Sequence, residues 1–454
     1  MIPHPHSYRA LPVDGVAGTI TVPGDKSISH RSLMLGAIAE GPTLIHGFLD
    51  GEDCLATRAA LEALGVEIYK NALQPVRVSG VGLHGLHAPI RVLDLGNSGT
   101  GIRLLTGLLA GQPFASELTG DASLRERPME RVAAPLRAMG ARIETTDGKP
   151  PVRVLGASTL TGIEHELPIA SAQVKSAILL AGLFATGRTT VRSPGPSRDH
   201  TERMLMSMGV QLETAEDGRG HTVSLVGPAT LHGREIGVPG DFSSAAFFIV
   251  AACVGAPDGL LIKNVGVNPT RTGLLTILRE MGADIELEAE RRLGAEPVAD
   301  LFVRQSELKG VDVPPELVPL SIDEFPILFI AAAAARGTTR VRGAEELRAK
   351  ETDRLAVMAQ GLTAIGIGVE EHPDGLSVIG GRVRGGSVDS RGDHRIAMSF
   401  AIASLLARSP IEIANTAEVA TSFPSFLEVA TDVGLRVGAG DVGPGDVGPG
   451  DGTT

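Results

Sequence analysis

Apolar and polar positions along this chain fall into one short phrase that recurs six times: a helix-like turn with apolar residues at i and i+3, a glycine, then alternating apolar residues. The copies are Leu61–Val66, Leu136–Ala141, Leu205–Val210, Leu278–Ala283, Leu362–Ile367 and a worn one ending at Val433-Gly434-Leu435. The spacing predicts a helix whose apolar side faces a core, ended by a left-handed glycine, with a strand leaving at once. Successive glycines stand 75, 69, 73, 84 and 68 residues apart, too far for a solenoid repeat and enough for a small unit of several strands and helices. A second phrase divides the chain. Val22-Pro23-Gly24-Asp25-Lys26-Ser27 returns as Val238-Pro239-Gly240-Asp241-Phe242-Ser243, an offset of 216 residues that spans three units. Two similar halves are expected, with boundaries near Asp25 and Gly240 and a cleft between the copies.

The 454 residues are enough for two or three domains, and 43% hydrophobic with 21% charged residues is a globular balance. The formal charge is −12, aromatics make up 3% and tryptophan is missing, the reverse of what a general nucleic-acid binder needs. Two cysteines, Cys54 and Cys253, make no disulfide framework and fit a reducing cytoplasm. The longest apolar runs, Ala177–Ala185 and Phe325–Ala335, fall short of the roughly 20 residues that span a bilayer and read as core. The N-terminus shows neither an export signal nor an organelle presequence. Beyond Gly438 a glycine-, proline- and aspartate-rich stretch of period five reads as a disordered tail.

Candidate chemistry gathers at the starts of apolar helices. Gly24-Asp25-Lys26-Ser27-Ile28-Ser29-His30-Arg31 is a turn opening a helix, where free amides and the positive end of the dipole favour an anion. Read locally it is equally an N-cap with solvated cations. Gly96-Asn97-Ser98-Gly99-Thr100-Gly101 is a glycine nest that lacks both the phosphate-loop lysine and the third glycine of a dinucleotide site. Glu126-Arg127-Pro128, Ser171-Ala172-Gln173-Val174-Lys175, Lys350-Glu351-Thr352-Asp353-Arg354 and Gly392-Asp393-His394-Arg395 repeat the design. Lys350 and Arg354 are four apart with Glu351 between them, so two cations and one carboxylate can face one site. Cations in both halves of an acidic protein point to small polyanions. Asp323 and Glu351 are the acid and base candidates, although Asp323 by itself reads as the N-cap of the apolar run that follows it. No spacing of His, Cys or carboxylates suggests a metal.

As a set, in order from about Ala10 to Val437, these motifs resemble the 5-enolpyruvylshikimate-3-phosphate synthase family, closer to its divergent second class. The resemblance implies an α/β fold of two similar inside-out domains, each of three βαβαββ repeats, with the active site in the interdomain cleft. It implies one domain over residues 25–239, a discontinuous one over 1–24 and 240–437, and the tail over 438–454. The implied reaction moves the enolpyruvyl group of phosphoenolpyruvate to the 5-hydroxyl of shikimate 3-phosphate, releasing phosphate by addition and elimination. Lys26, Ser27, Arg31, Ser171, Gln173, Asp323 and Lys350 correspond to shikimate 3-phosphate contacts. Lys26, Gly99, Arg127, Gln173, Arg354 and Arg395 correspond to phosphoenolpyruvate contacts. Asp323, Glu351 and Lys26 would carry the chemistry. A cytoplasmic monomer is expected, with two small-molecule substrates and no metal, cofactor, nucleic acid or membrane.

Two departures stand out. Thr421 occupies the place of a lysine found in many family members, which puts one phosphate-binding cation in doubt. Gly99 stands where glyphosate-insensitive members of the second class have alanine, so the missing methyl is expected to leave room for that inhibitor. The nearest rival is the sister transferase acting on UDP-N-acetylglucosamine, which would show Lys-Asn in the first motif and a loop cysteine. A non-catalytic anion-binding protein of the same fold is the rival from another class.

Overall fold

The structure is a computed structural model, and it describes residues 5–71, 74–156, 159–217 and 220–440. Its contacts divide the chain into two compact units. One comprises Met1–Pro23, Gly240–Arg291 and Val298–Thr454, the other Gly24–Pro239 and Arg292–Pro297. The short insertion, which the sequence reading leaves in the C-terminal domain, belongs with the second unit because Glu296 pairs with His200 at 2.8 Å and Ala295 O accepts from Arg203 Nη1 at 3.2 Å.

The unit built on Gly24–Pro239 shows how the sixfold phrase becomes structure. Its middle repeat runs strand Leu93–Asp94, helix Gly99–Ala110, strand Ala115–Thr119, helix Glu130–Ala138 and strands Ile143–Thr146 and Lys149–Leu155. In the sheet the first strand lies parallel to the second, the fourth antiparallel beside the second, and the third at the edge. The repeats before and after follow the same order, and Glu235–Gly237 supplies the first strand of the earliest by pairing in parallel with Glu40–His46. The other unit repeats the pattern around helices Phe242–Gly255, Phe325–Ala334 and His394–Ala403. One of its sheets has three strands, completed by parallel bridges from Lys309 and Asp312.

All six phrases end as expected. Gly65, Gly140, Gly209, Gly282, Gly366 and Gly434 have φ between 90° and 101°. At each the glycine N–H and the next N–H reach back to two helix carbonyls, as in Gly282 N to Arg279 O and Ala283 N to Leu278 O, both 2.9 Å. This pair of bonds satisfies carbonyls that the helix end leaves open and turns the chain into its strand.

The three helices that open each repeat are buried almost all round, whereas edge strands such as Asp284–Leu293 keep one face in solvent. Each unit therefore packs helices inside and sheets outside, around one hydrophobic cluster of its own. Both long apolar runs are buried helices. Among the described residues no single helix is long and apolar enough to cross a membrane. The expected tail begins later than Gly438, because strand Arg436–Ala439 pairs with Ser7–Leu11 and Gly440 N donates to Ser7 O. From residue 441 onward the expectation falls outside the described residues.

Candidate active site

In the Gly24–Pro239 unit, polar side chains collect at the starts of the three inner helices. Asp25 caps helix Lys26–Ala37 by accepting from Ile28 N at 2.9 Å, which presents Lys26, Ser27 and Arg31 on its first turns. Lys26 Nζ lies 2.9 Å from Asp53 Oδ2. Arg31 is buried and pinned on three sides, donating to Thr201 Oγ1 at 2.6 Å, Ser176 Oγ at 2.9 Å and Ser27 O at 3.0 Å. Burial pushes its guanidinium down to about 10 against the opposing charge of Glu202, so it remains a cation at neutral pH. Arg198, which sequence reasoning missed, donates to Ser27 Oγ at 3.4 Å from a loop that carries no local signal.

The glycine nest is also built as a site. Ser98 caps helix Gly99–Ala110, and its hydroxyl lies 3.4 Å from Nε2 of the buried His30, whose Nδ1 is 2.8 Å from Thr57 Oγ1. Burial, reinforced by Lys26 and Arg31, holds the His30 imidazole well below its ordinary pKa and therefore neutral. A methyl group on Gly99 would lie 2.8 Å from Arg127 Nη1 and 2.9 Å from Arg103 Nη1, so two guanidinium groups meet at this glycine. Arg127 is set there by Asn97 Oδ1 at 2.6 Å, and Arg103 by Gln173 Oε1 at 2.8 Å. Gln173 Nε2 in turn donates to Thr100 Oγ1 at 3.0 Å, and Ser171 caps the helix on which Gln173 sits. Arg103 was also missed. Its four-residue spacing from Gly99, one helical turn, is the signal that could have found it.

The other unit assembles the remaining candidates around one buried arginine. Arg354, 1% exposed, places Nε 2.7 Å from Asp393 Oδ2, Nη2 2.5 Å from Glu351 Oε2 and Nη1 3.3 Å from Asp323 Oδ1. Burial alone would push its pKa down, but Asp393, Glu351 and Asp323 outweigh that and hold it above the ordinary arginine value. Lys350 Nζ stands 3.6 Å from the same Asp323 oxygen, and Arg395 Nη1 donates to the Asp323 carbonyl at 3.1 Å.

One local expectation is corrected here. Asp323 is not an N-cap: helix Phe325–Ala334 begins after Glu324 without a side-chain cap, with Pro326 in its first turn, and the Asp323 carboxylate turns to the cations. Lys350, Glu351 and Arg354 do face one site, though not from one helix. Asp353 caps a helix that starts only at Arg354, so Lys350 and Glu351 lie in the preceding loop and reach Asp323 and Arg354 from there. Thr421 donates to Glu418 O at 2.7 Å and, as expected from the sequence, supplies no positive charge. Cys54 and Cys253 are both buried within helices, not in loops.

A profile of the family described as EPSP synthase (3-phosphoshikimate 1-carboxyvinyltransferase) matches residues 12–430. The 3-phosphoshikimate 1-carboxyvinyltransferase of Methylococcus capsulatus is 57% identical over 95% of this chain and 98% of its own length. That of Legionella pneumophila strain Lens is 54% identical over 93% and 97%. An EPSP synthase structure from Acinetobacter baumannii superposes with a TM-score of 0.84 at 51% identity, covering 95% of this chain and 99% of that one.

Proposed function

Because this chain belongs to the EPSP synthase family and catalyses transfer of the enolpyruvyl group from phosphoenolpyruvate to shikimate 3-phosphate, we propose how its residues divide that work. Lys26, Ser27, Arg31, Ser171, Gln173 and Lys350 hold shikimate 3-phosphate. Lys26, Gly99, Arg127, Gln173, Arg354 and Arg395 hold phosphoenolpyruvate. Each substrate carries a phosphate and a carboxylate, and guanidinium groups match such oxygens in pairs. Arg103 and Arg198 join the two sets through Gln173 and Ser27.

Asp323 accepts the proton of the 5-hydroxyl as its oxygen attacks the central carbon of phosphoenolpyruvate. Glu351 gives a proton to the methylene carbon, which completes a tetrahedral intermediate. Glu351 then takes a proton back from that carbon, the bond to the phosphate oxygen breaks, and phosphate leaves with the proton first held by Asp323. Lys26, Arg127, Arg354 and Arg395 balance the charge of the intermediate. The observation that carries this reading is that a single guanidinium, that of Arg354, bonds both carboxylates, which sets an acid and a base side by side at a cation. A non-catalytic anion binder has no use for that pair.

The acceptor is shikimate 3-phosphate and not UDP-N-acetylglucosamine, since Ser27 follows Lys26 and both thiols are buried. We further infer a monomer working in the cytoplasm, a compartment that suits a chain with only two cysteines, without metal, cofactor, nucleic acid or membrane. Asp323→Asn preserves shape and hydrogen bonding, so it is expected to fold normally and lose roughly 10²- to 10⁴-fold in kcat. Near-normal turnover would remove Asp323 from the role of base.

A further inference from the structure

The second Pro-Gly-Asp phrase has no part in the scheme above, yet it is built as carefully as the first. Asp241 caps helix Phe242–Gly255 through Ser243 N at 2.7 Å, just as Asp25 caps its own helix. Where the first copy presents Lys26, the second buries Phe242 in the core at 1% exposure. A chain of buried polar groups leads away from it. Arg271 Nη2 lies 3.3 Å from Asp241 Oδ1 and donates to Ser243 Oγ at 2.6 Å. The Ser243 hydroxyl donates to Glu324 Oε1. The same Glu324 oxygen stands 3.7 Å from Arg395 Nη1 and 4.0 Å from Arg271 Nη2. Asp241, Arg271, Ser243, Glu324 and Arg395 are all buried.

A carboxylate sealed between two guanidinium groups in low dielectric is a strong fixed counter-charge, and both arginines gain orientation from it. Arg395 has Nη1 tied to the Asp323 carbonyl at 3.1 Å and faced by Glu324, while Nη2 points toward Asp323 Oδ2 at 4.0 Å. Without Glu324 the guanidinium would keep only a neutral carbonyl and a distant carboxylate as partners among these contacts. Its swing would carry away both the cation and the hydrogen bond that steadies the Asp323 backbone.

We propose that Glu324 is a positioning residue for enolpyruvyl transfer, fixing the Arg395 guanidinium against phosphoenolpyruvate and the Asp323 backbone beside it, with Ser243 and Arg271 of the second Pro-Gly-Asp element as its buttress. The duplicated phrase thus binds ligand in one unit and supports a ligand-binding arginine in the other. This rests on the reading that Arg395 contacts phosphoenolpyruvate.

Steady-state kinetics of the full-length enzyme test it, with KM measured separately for each substrate and Tm recorded for each variant. Glu324→Gln keeps the shape and the bond from Ser243 but removes the charge. It is expected to raise KM for phosphoenolpyruvate about tenfold, with a smaller loss in kcat and an unchanged KM for shikimate 3-phosphate. Ser243→Ala, which leaves every charge in place, should move the same constant in the same direction by less. If Glu324→Gln does not fold, Ser243→Ala decides. Arg395→Lys serves as the control for the underlying reading. Should Arg395→Lys raise KM for phosphoenolpyruvate while the other two variants change only Tm, or change neither constant, the positioning role is wrong and the functional reading survives. An unchanged KM in Arg395→Lys would overturn the reading itself.

Discussion

At Gly99 one methyl group decides how two arginines sit. The added carbon of Gly99→Ala would press on Arg127 Nη1 and Arg103 Nη1, both flexible ends able to move, so the fold should tolerate it while the anion site does not. The variant is expected to raise KM for phosphoenolpyruvate and to weaken inhibition by glyphosate at unchanged Tm; an inhibition constant equal to the wild type's would refute the steric account. His30 gives a test through stability. Its folded-state pKa is depressed below 6.5, so below that pH the unfolded chain binds a proton that the folded chain excludes, and stability falls as the pH drops. The slope from this one group approaches about 1.4 kcal/mol per pH unit. Urea denaturation between pH 7.5 and 5 should show a shallower loss in His30→Gln than in the wild type, and parallel curves would mean that His30 takes up a proton in the folded state. The motif residues Lys26, Gln173 and Arg354 were legible because each stands in the first turn of a helix whose capping residue is written locally. Arg198 and Glu324 were not, since their partners lie 171 and 81 residues away along the chain.

The helices and turns obey rules that act over a few residues, which is why six copies of one phrase could be read from the chain. Two glycines separate backbone conformation from packing. Gly282 has φ of 101° and a Cβ there would approach Glu307 O only to 3.4 Å, so Gly282→Ala costs the left-handed strain alone, about 1–2 kcal/mol. Gly107 lies inside a helix of ordinary φ, but its Cβ would meet Ala177 O at 2.2 Å, where helix Gly99–Ala110 packs on Ala172–Gly182. Gly107→Ala should therefore lower Tm more than Gly282→Ala and also raise KM for phosphoenolpyruvate, because the displaced helix carries Gly99. A smaller effect at Gly107 would show that this helix pair yields easily. Lys350 and Glu351 stand in the loop before Asp353, which caps helix Arg354–Ala364, so their approach to Asp323 and Arg354 does not depend on a shared helix face.

For the molecule as a whole, the division into three-repeat units followed from the 216-residue offset, whereas the strand order within each sheet did not. Nothing local to Ser7–Leu11 announces that it pairs with Ile411–Ala414 and Arg436–Ala439, more than 400 residues later. Lys26 and Arg127 belong to one unit and Asp323, Glu351 and Arg354 to the other. The most direct test follows phosphate release from phosphoenolpyruvate in the presence of a metal chelator. The account predicts one phosphate per shikimate 3-phosphate consumed, none with UDP-N-acetylglucosamine as acceptor, and near-complete loss in Lys26→Ala and in Glu351→Gln alike. Phosphate release that proceeds without shikimate 3-phosphate, or that survives either substitution, would contradict it.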